Sequence, residues 1–469
     1  PPFCVCWSAP SPIGGVAPFL PFHTTAKSDC HMDPFLVGLV SLIAIVVLIY
    51  GGSYVAITLS FVSFVGVYII KEDFNIAVNL MSLSVTESIK HYDYASIPSF
   101  VMMGMIVSKS GFGGDIYQVA NQMFRRLRGG LGIATVVANA CFAAVTGSSI
   151  AAASVFTRVS VPEMIRFDYG KRFAVGVVAG SSVLGMIIPP SVMMIIYAFI
   201  AEQSVGEMFL AGVIPGLMLA TVFVVTIMVM TAFFPKFIGQ GALVNHFPDD
   251  ELMPISELVA KILPILILIT IVLGGIYTGF FTAAEAGAVG ALFAFLLSLL
   301  RRRISWKDFR GILIDTGHIT ANILFLIIAA SMYSRMLGIA GLPFALSQWL
   351  EQVELGFAAM MTLYVILMLF LGTIIDTGSI ILVCVPLFLH AIESMGLSLV
   401  WFGVITVIGA EIGLLTPPFG LSCFVIKSAV DRPDISLNDI FYGAFPFAAV
   451  MLLVLIALIS FPQITLFLL

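Results

Sequence analysis

Two long apolar runs of this chain are each interrupted by a pair of adjacent prolines. The first break is Leu184-Gly-Met-Ile-Ile-Pro-Pro190, and the second is Ile412-Gly-Leu-Leu-Thr-Pro-Pro418. Adjacent prolines remove two backbone donors and clash with the preceding helical turn. In a bilayer such a break is tolerated only where it faces protein or a wet cavity, because an unpaired backbone group in hydrocarbon costs several kcal/mol. Carbonyls and helix ends exposed there can bind ions, so the paired breaks indicate a transporter.

The composition of the chain suits a membrane and not water. Of the 469 residues, 60% are hydrophobic and 10% are charged, whereas soluble domains carry about 25% charged residues. The sequence therefore predicts an all-α polytopic protein embedded in a lipid bilayer. The net charge of −5 suggests no nucleic-acid partner. Residues 1–31 are rich in proline and lack a signal-peptide pattern, so we expect a non-native or disordered leader and a native start at Met32.

The apolar runs fall into two halves that match each other. The run 36–70 would be about 52 Å long as a helix, too long for a hydrocarbon core of about 30 Å, so it should form two spans that turn near Gly51. A polar linker, 236–258, separates a first unit, 32–235, from a second, 259–469. Five landmarks recur in one order at offsets of 224 to 231 residues: Tyr50 and Tyr277, Gly111 and Gly341, Pro162 and Pro386, Pro189 and Pro417, and Pro215 and Pro446. This order indicates an internal repeat.

Basic residues predict that the two units are inverted. Lys and Arg favour the cytoplasmic side. They flank the run 131–157 at both ends, whereas acidic residues flank the corresponding run 357–391. Each run should therefore be a re-entrant helical hairpin, one from each face, as inverted repeats produce. The linker 236–258 is then cytoplasmic, and the segments 173–200 and 398–427 are predicted to be discontinuous helices.

Each unit supplies one hairpin tip and one broken helix, and we expect a cation site at each pairing. Helix ends and oxygen-only ligands suit a hard cation such as Na⁺ and no transition metal. The predicted ligands are Gly147, Ser148, Ser149, Gly185 and Pro189 at the first site, and Gly372, Thr373, Asp376, Gly413 and Thr416 at the second. The solute is expected to contact Ser149, Pro190, Ser191, Thr377, Ser379 and Pro418. For any single hydroxyl, close packing of small residues between helices is the alternative explanation.

Three acids and one arginine at membrane depth also require an explanation. Asp376 lies at a hairpin tip, and acids within a membrane are functional by default. Glu411 lies about a turn and a half before Pro417, where it could line a cavity or bond a freed backbone donor. Glu285 either has a function of this kind or only holds helices together. Arg158 could meet an anionic solute or extend toward the membrane surface.

The motifs of several other protein classes are missing from the sequence. It contains no HExxH and no Walker A lysine motif. Gly111-Phe-Gly-Gly114 does not follow a strand, so a dinucleotide site is not expected. An intramembrane enzyme would need a paired acid and base or a nucleophile at one depth, and none is visible, so we expect no enzyme. A channel is a further alternative that a conductance measurement would distinguish.

Five motifs together point to one family: Gly129-Gly-Leu-Gly-Ile-Ala-Thr135, Gly147-Ser-Ser149, Gly185-Met-Ile-Ile-Pro-Pro190, Ala211-Gly-Val-Ile-Pro-Gly216 and Glu411-Ile-Gly-Leu-Leu-Thr-Pro-Pro418. Through them the chain from Met32 onward resembles the large membrane (M) subunit of tripartite ATP-independent periplasmic (TRAP) transporters, which is DctM-like and belongs to the ion-transporter superfamily. Two segments depart from that family. Ile375-Asp-Thr-Gly378 stands where relatives often have Met-Asp-Pro-Thr, which leaves the ligands of the second cation site less certain, and Phe281-Thr-Ala-Ala-Glu285 lacks a proline common after the Thr-like position.

The resemblance implies an elevator-type secondary transporter of the bacterial inner membrane. A scaffold would hold still while a transport domain with both hairpins slides across the bilayer, coupled to Na⁺ entry through two or more sites. The implied partners are a small four-helix membrane (Q) subunit and a periplasmic substrate-binding (P) protein. The implied substrates are organic acids such as C4-dicarboxylates, sialic acid and other sugar acids. The alternative is a stand-alone dicarboxylate/Na⁺ symporter or antiporter of the same superfamily.

Overall fold

The computed structural model describes residues 33–239, 252–352, 356–418 and 420–469. These residues form helices and no β-strand. Six of their helices are long and apolar enough to cross a bilayer, or seven if the bent pair Lys171–Ile187 and Val192–Ile200 makes one span. The chain is therefore an all-helical, multi-pass membrane protein, as predicted. The predicted leader and most of the predicted linker lie outside the described residues.

The helices of the first half are mostly short. Two apolar helices replace the run 36–70 and turn near Gly51, as predicted, because α1 ends one residue before Gly51 and α2 begins four residues after it. Both have 17 residues and are shorter than the helices counted above as able to cross a bilayer. The helices are α1 Pro34–Tyr50, α2 Val55–Lys71, α3 Phe74–Lys90, a 3₁₀ turn Tyr92–Ala95, α4 Ser96–Lys109, α5 Phe112–Phe124, α6 Gly130–Thr146, α7 Ser149–Arg166, α8 Lys171–Ser182, α9 Leu184–Ile187, α10 Val192–Ile200, α11 Val205–Phe233 and α12 Pro235–Ile238.

The second half begins with three longer helices and continues with shorter ones up to α21. Its helices are α13 Ile255–Tyr277, α14 Ala283–Leu300, α15 Trp306–Ala340, α16 Leu342–Gln352, α17 Phe357–Gly372, α18 Thr377–Ser394, α19 Leu399–Gly413, α20 Leu421–Ala429, α21 Leu437–Ser460 and α22 Gln463–Leu466. Gly111 and Gly341, two of the paired landmarks, both adopt a positive φ of 72° between consecutive helices. Glycine takes this left-handed conformation without steric cost, which explains why both turns use it.

Each predicted hairpin is a pair of helices joined by a short turn. α6 ends at Gly147, whose φ is +60° and whose N–H donates to the Ala143 carbonyl at 3.1 Å. Ser148 then caps α7, because its hydroxyl accepts from Ala151 N at 3.3 Å. The second turn separates α17 from α18. The second arms of both pairs continue to Arg166 and Ser394, past the apolar runs, since polar residues do not by themselves end a helix.

Both Pro-Pro segments interrupt helices at the predicted places. Between α9 and α10 the backbone is not helical, and the helices on either side are bent by 44°. Ser191 begins the second piece as a cap, accepting from Met194 N at 3.3 Å. The second break separates α19 from α20. The Pro189–Pro190 and Pro417–Pro418 peptide bonds are both cis.

The two halves pack against each other through small residues. α8 of the first half crosses α21 of the second at Gly176 and Gly443. A Cβ at Gly443 would overlap the carbonyl oxygen of Arg172, so the two backbones touch with no side chain between them. Arg172 also donates from Nε to Asp439 Oδ1 at 2.7 Å at the same crossing. This close contact joins helices that are more than 250 residues apart in sequence.

Glu285 has a local role in the fold. It lies in the first turn of α14, and its carboxylate accepts from Thr282 N and from Thr282 Oγ1, both at 2.9 Å. The Thr282 hydroxyl in turn accepts from Glu285 N at 3.3 Å. This reciprocal capping box satisfies donors at the start of a helix. Of the two explanations left open for Glu285, the structure therefore favours one in which it stabilises a helix, although within α14 and not between helices.

Candidate functional site

The first hairpin tip packs backbone to backbone against the first break. A Cβ added to Gly185 would lie 2.7 Å from the carbonyl oxygen of Ser148, and one added to Gly147 would lie 2.5 Å from that of Pro190. Val192 N, just after the break, donates to Gly147 O at 3.4 Å. Contacts this close admit only glycine. The structure thus brings the glycines and Ser148 of the first predicted cation site together, with Pro189 one residue from the contact.

The second tip meets the second break in the same way, through two glycines. A Cβ on either Gly372 or Gly413 would lie 2.6 Å from the Cα of the other. The hydroxyls predicted to serve this site bond within their own segments, since Thr373 Oγ1 donates to Phe370 O and Thr416 Oγ1 to Gly413 O, both at 2.8 Å. A hydroxyl that donates one hydrogen bond keeps its oxygen lone pairs, so both groups can still act as acceptors.

Asp376 caps α18 at the second tip. Its Oδ2 accepts from Ser379 N at 3.2 Å, and its Oδ1 accepts from the Ser379 hydroxyl in a short hydrogen bond. Asp376 is partly exposed, whereas Ser379 is fully buried. The carboxylate is thus oriented by the helix that it caps, and two residues predicted for different roles, cation binding and solute binding, are paired with each other.

Glu411 connects the two hairpins at the centre of the molecule. It lies on α19 and is 0% exposed. Its Oε1 accepts from the hydroxyl of Thr377, the first residue of α18, at 2.8 Å. The hydroxyl of Ser149, the first residue of α7, lies close to the same carboxylate, but within the described residues neither Ser149 Oγ nor Glu411 Oε2 has a partner in hydrogen-bond geometry. The Glu411 side chain therefore faces the first residues of α7 and α18, the second helices of the two hairpins.

Two buried oxygens without partners are unusual at a single place. More than nine in ten buried polar groups in proteins are hydrogen-bonded, and an unpaired buried carboxylate is costly. Hydroxyl, carboxylate and carbonyl oxygens are the ligands that hard cations prefer. The side chains of Ser149 and Glu411 therefore fit a cation such as Na⁺. The described residues contain no cluster of three or more His, Cys, Asp or Glu side chains that could hold a metal ion.

Most of the predicted solute contacts lie at this centre and are buried. Ser191 is buried next to the first break, where its hydroxyl donates to Met186 O at 2.5 Å. Pro418 differs from the others, because it is exposed. The buried ones are Ser149, Pro190, Ser191, Thr377 and Ser379.

A cavity of about 980 Å³ lies elsewhere in the protein, and none of the predicted solute contacts lines it. It opens between the end of α10 and the helices α3, α14 and α15. Glu87 and Arg335 form an ion pair in its lining, which also includes Tyr94, Gln203 and Thr282. Sequence reasoning missed this cavity because its polar residues come from distant parts of the chain and form no local motif.

Arg158 lines a second cavity, of about 510 Å³, between the end of α7 and the end of α20. Arg166 and Arg432 share this cavity, with apolar walls from Val161 and Val430. The arginine is exposed and far along α7 from the hairpin tip at Ser149. Arg158 therefore lies away from the buried centre.

Comparison with known proteins decides the family. The pattern of the family described as the tripartite ATP-independent periplasmic transporter, DctM component, matches residues 42–464. The chain belongs to this family. The predicted resemblance is confirmed, and the DctM family consists of transporter permeases and is not a class of enzymes.

Several DctM-family proteins are similar over nearly the whole chain. The C4-dicarboxylate TRAP transporter large permease protein DctM of Pseudomonas aeruginosa is 32% identical over 396 residues, which cover 83% of this chain and 89% of the relative. The sialic acid TRAP transporter large permease protein SiaM of Vibrio cholerae is 29% identical over 392 residues, with the same two coverages. The crystal structure of the Alcanivorax borkumensis YdaH transporter shares the fold, with a TM-score of 0.61 at 10% identity over 91% of this chain and 98% of that one.

Proposed function

We propose that this chain is the large permease of a Na⁺-coupled secondary transporter that imports an organic acid delivered by a periplasmic binding protein. The observation that carries the proposal is the meeting of both hairpin tips at Glu411, beside two breaks that the backbone packs against directly. Relatives support the substrate class, because their names refer to C4-dicarboxylate, sialic acid and 2,3-diketo-L-gulonate. All of these solutes are organic acids.

Converging helix starts favour an anionic solute at this centre. α7 begins at Ser149, α18 at Thr377 and α10 just after Ser191, and all three residues are buried. The start of a helix carries a partial positive charge and unpaired N–H groups, which suit a carboxylate. Na⁺, when bound, would supply further positive charge beside the solute. The side chains of Ser149, Thr377 and Ser191 would orient the acid, and the close glycine contacts would exclude water around it.

The arrangement suits an elevator mechanism built from inverted repeats. We assign residues 32–235 and 259–469 to the two repeats, with one hairpin entering from each membrane face and the linker in the cytoplasm. The transport domain would contain α6–α10 and α17–α21, which pack on one another around the tips. The scaffold would contain α1–α4 and α13–α15. The cavity of about 980 Å³ between α10 and α3, α14 and α15 lies along the boundary between these two groups.

Two protein partners complete the proposed system in the bacterial inner membrane. They are a small four-helix Q subunit and a periplasmic P protein. One relative, the isethionate TRAP transporter permease protein DctMQ of Oleidesulfovibrio alaskensis, is 27% identical over 381 residues that cover 81% of this chain but 58% of that protein. Its name and its additional length support a small subunit that accompanies the large one.

Uptake by a reconstituted system tests the proposed function. The chain and a small Q subunit would be placed in proteoliposomes, with a periplasmic binding protein outside and radiolabelled C4-dicarboxylate or sialic acid as solute. We expect uptake that needs an inward Na⁺ gradient and the binding protein. Equal uptake without either protein partner would favour the stand-alone symporter or antiporter, and uptake indifferent to Na⁺ would contradict the coupling.

A further inference from the structure

We propose that Glu411 is the anionic ligand of the first cation site and is shared between the two hairpins, with Oε2 and Ser149 Oγ facing one bound cation. This inference rests on the proposed Na⁺ coupling and adds a ligand that the motif at the first tip does not contain. The ligands predicted from sequence for that site, at Gly147, Ser148, Ser149, Gly185 and Pro189, are all electrically neutral.

The two oxygens of Glu411 have different surroundings. Oε1 accepts the hydrogen bond from Thr377 Oγ1 at 2.8 Å. Oε2 is buried without a partner among the described residues, and so is the Ser149 hydroxyl that acts on the same carboxylate. The two side chains lie close together, yet these two atoms form no hydrogen bond with each other. Oxygens that converge without bonding to each other are the arrangement expected of ligands to a shared ion.

The buried carboxyl of Glu411 is ionised only where positive charge lies beside it. Among the described residues it forms no ion pair with a Lys, Arg or His, and an unpaired buried charge is so unfavourable that the group otherwise takes its neutral form. A cation at the first tip has the complementary difficulty. The start of α7 at Ser149 carries a partial positive charge that repels a cation, and neutral hydroxyls and carbonyls offset it only in part. A cation bound by the Glu411 carboxylate resolves both difficulties, because each charge then neutralises the other.

The sharing also explains how the two halves are joined. Ser149 belongs to the first hairpin, Thr377 to the second, and Glu411 to the second broken helix. A cation held by Ser149 and Glu411 would draw the first tip toward the carboxylate, while Thr377 holds the second tip on its other oxygen. Loss of the cation would leave the first tip without this attachment. Occupancy of the first site is thereby linked to the position of both hairpins.

Thermal unfolding of the purified full chain in detergent tests this assignment without a transport assay. The unfolding midpoint would be followed as NaCl replaces choline chloride at constant ionic strength. We expect Na⁺ to stabilise the wild type. Glu411→Gln keeps the shape and removes the charge, so it should raise the Na⁺ concentration for half-maximal stabilisation at least about tenfold, equivalent to 1.4 kcal/mol. Thr377→Val removes the bond to Oε1 alone and should change that concentration by less than about threefold.

A double-mutant cycle separates a shared ion from two independent effects. If Ser149 and Glu411 hold one cation, Ser149→Ala combined with Glu411→Gln should weaken the Na⁺ response no further than Glu411→Gln alone. An unchanged response in Glu411→Gln overturns the inference while leaving Na⁺ coupling intact. A wild type that Na⁺ does not stabilise more than choline overturns both. If the Gln variant does not fold, Glu411→Asp takes its place. It keeps the charge but moves the carboxylate away from the cation by one methylene group. A wild-type Na⁺ response in Glu411→Asp would also overturn the assignment.

Discussion

The two hairpin tips pack on the broken helices through similar backbone contacts but differ in the hydrogen bonding of their side-chain oxygens. Each tip touches its broken helix through glycine, at Gly185 in the first half and at Gly413 in the second. At the first tip the Ser149 hydroxyl has no hydrogen-bond partner within the described residues. At the second, Asp376 is held by Ser379. The two halves therefore share close backbone contacts at their tips, while the hydrogen bonding of the side-chain oxygens there differs.

The largest effect is expected where the two designs are alike, at the glycine contacts. Gly413→Ala and Gly185→Ala each place a Cβ within 2.7 Å of backbone atoms, and overpacking of this kind costs about 2 kcal/mol. Both variants should lower the melting temperature in detergent. Gly409→Ala is the control in the same helix as Gly413, because its nearest neighbour would be 3.7 Å away, and it should be neutral. A wild-type melting temperature in Gly413→Ala would contradict the close contact.

A smaller effect should separate the charge of the second tip from its capping role. Asp376→Ala removes the cap of α18, which costs about 1 kcal/mol of stability, and also removes a predicted cation ligand. We expect a lower melting temperature and weaker Na⁺ dependence of uptake. Ser398→Ala, which removes the comparable cap of α19, should lower stability only. If both variants leave the Na⁺ dependence unchanged, Asp376 is a cap and not a ligand.

At the first tip, a substitution should change the Na⁺ dependence of uptake and leave the stability of the protein unchanged. Ser149→Ala removes a hydroxyl that makes no hydrogen bond in the described structure, so the protein should fold normally while half-maximal uptake requires several-fold more Na⁺. Ser160→Ala is the matched control on α7, because that buried hydroxyl donates to Phe156 O at 2.7 Å and should not affect Na⁺. If Ser149→Ala and Ser160→Ala require the same Na⁺ concentration for half-maximal uptake, the Ser149 hydroxyl has no special role in Na⁺ binding and the prediction is wrong.

The smallest effect is expected far from both tips, at Glu285. Glu285→Ala breaks the capping box with Thr282, and loss of such a cap costs about 0.5–1 kcal/mol. The melting temperature should fall slightly, with Na⁺-dependent uptake per folded protein unchanged. Thr282→Ala removes the other half of the box and should behave in the same way. Altered Na⁺ dependence in Glu285→Ala would show that this acid has a second role.

Local features of the sequence predicted the fold well. The turn near Gly51 followed from the length of an apolar run, and the helix breaks followed from their proline pairs, because both depend on nearby residues alone. The role of Glu285 was also within reach, since Thr282-Ala-Ala-Glu285 has the spacing of a capping box. The inverted orientation of the halves and the two cation sites stay predictions.

The connection through Glu411 could not be predicted from the sequence. Its contacts with Thr377 and Ser149 cross 34 and 262 positions of the chain, and no periodicity or motif specifies which side chains meet over such distances. The lining of the large cavity was missed for the same reason. Tertiary packing, and not local pattern, determines which oxygens of this protein are left without a partner.

The crossing of α8 and α21 limits how the molecule can deform. At Gly176 and Gly443 main chain rests on main chain, so there is no flexible side chain to take up sliding or tilting between the two helices. α8 is the first piece of the broken helix of its half, and α21 packs on both pieces of the other broken helix, α19 and α20. The two helices should therefore move together, so that in the proposed elevator mechanism the segments joined at this crossing would be displaced as one rigid unit.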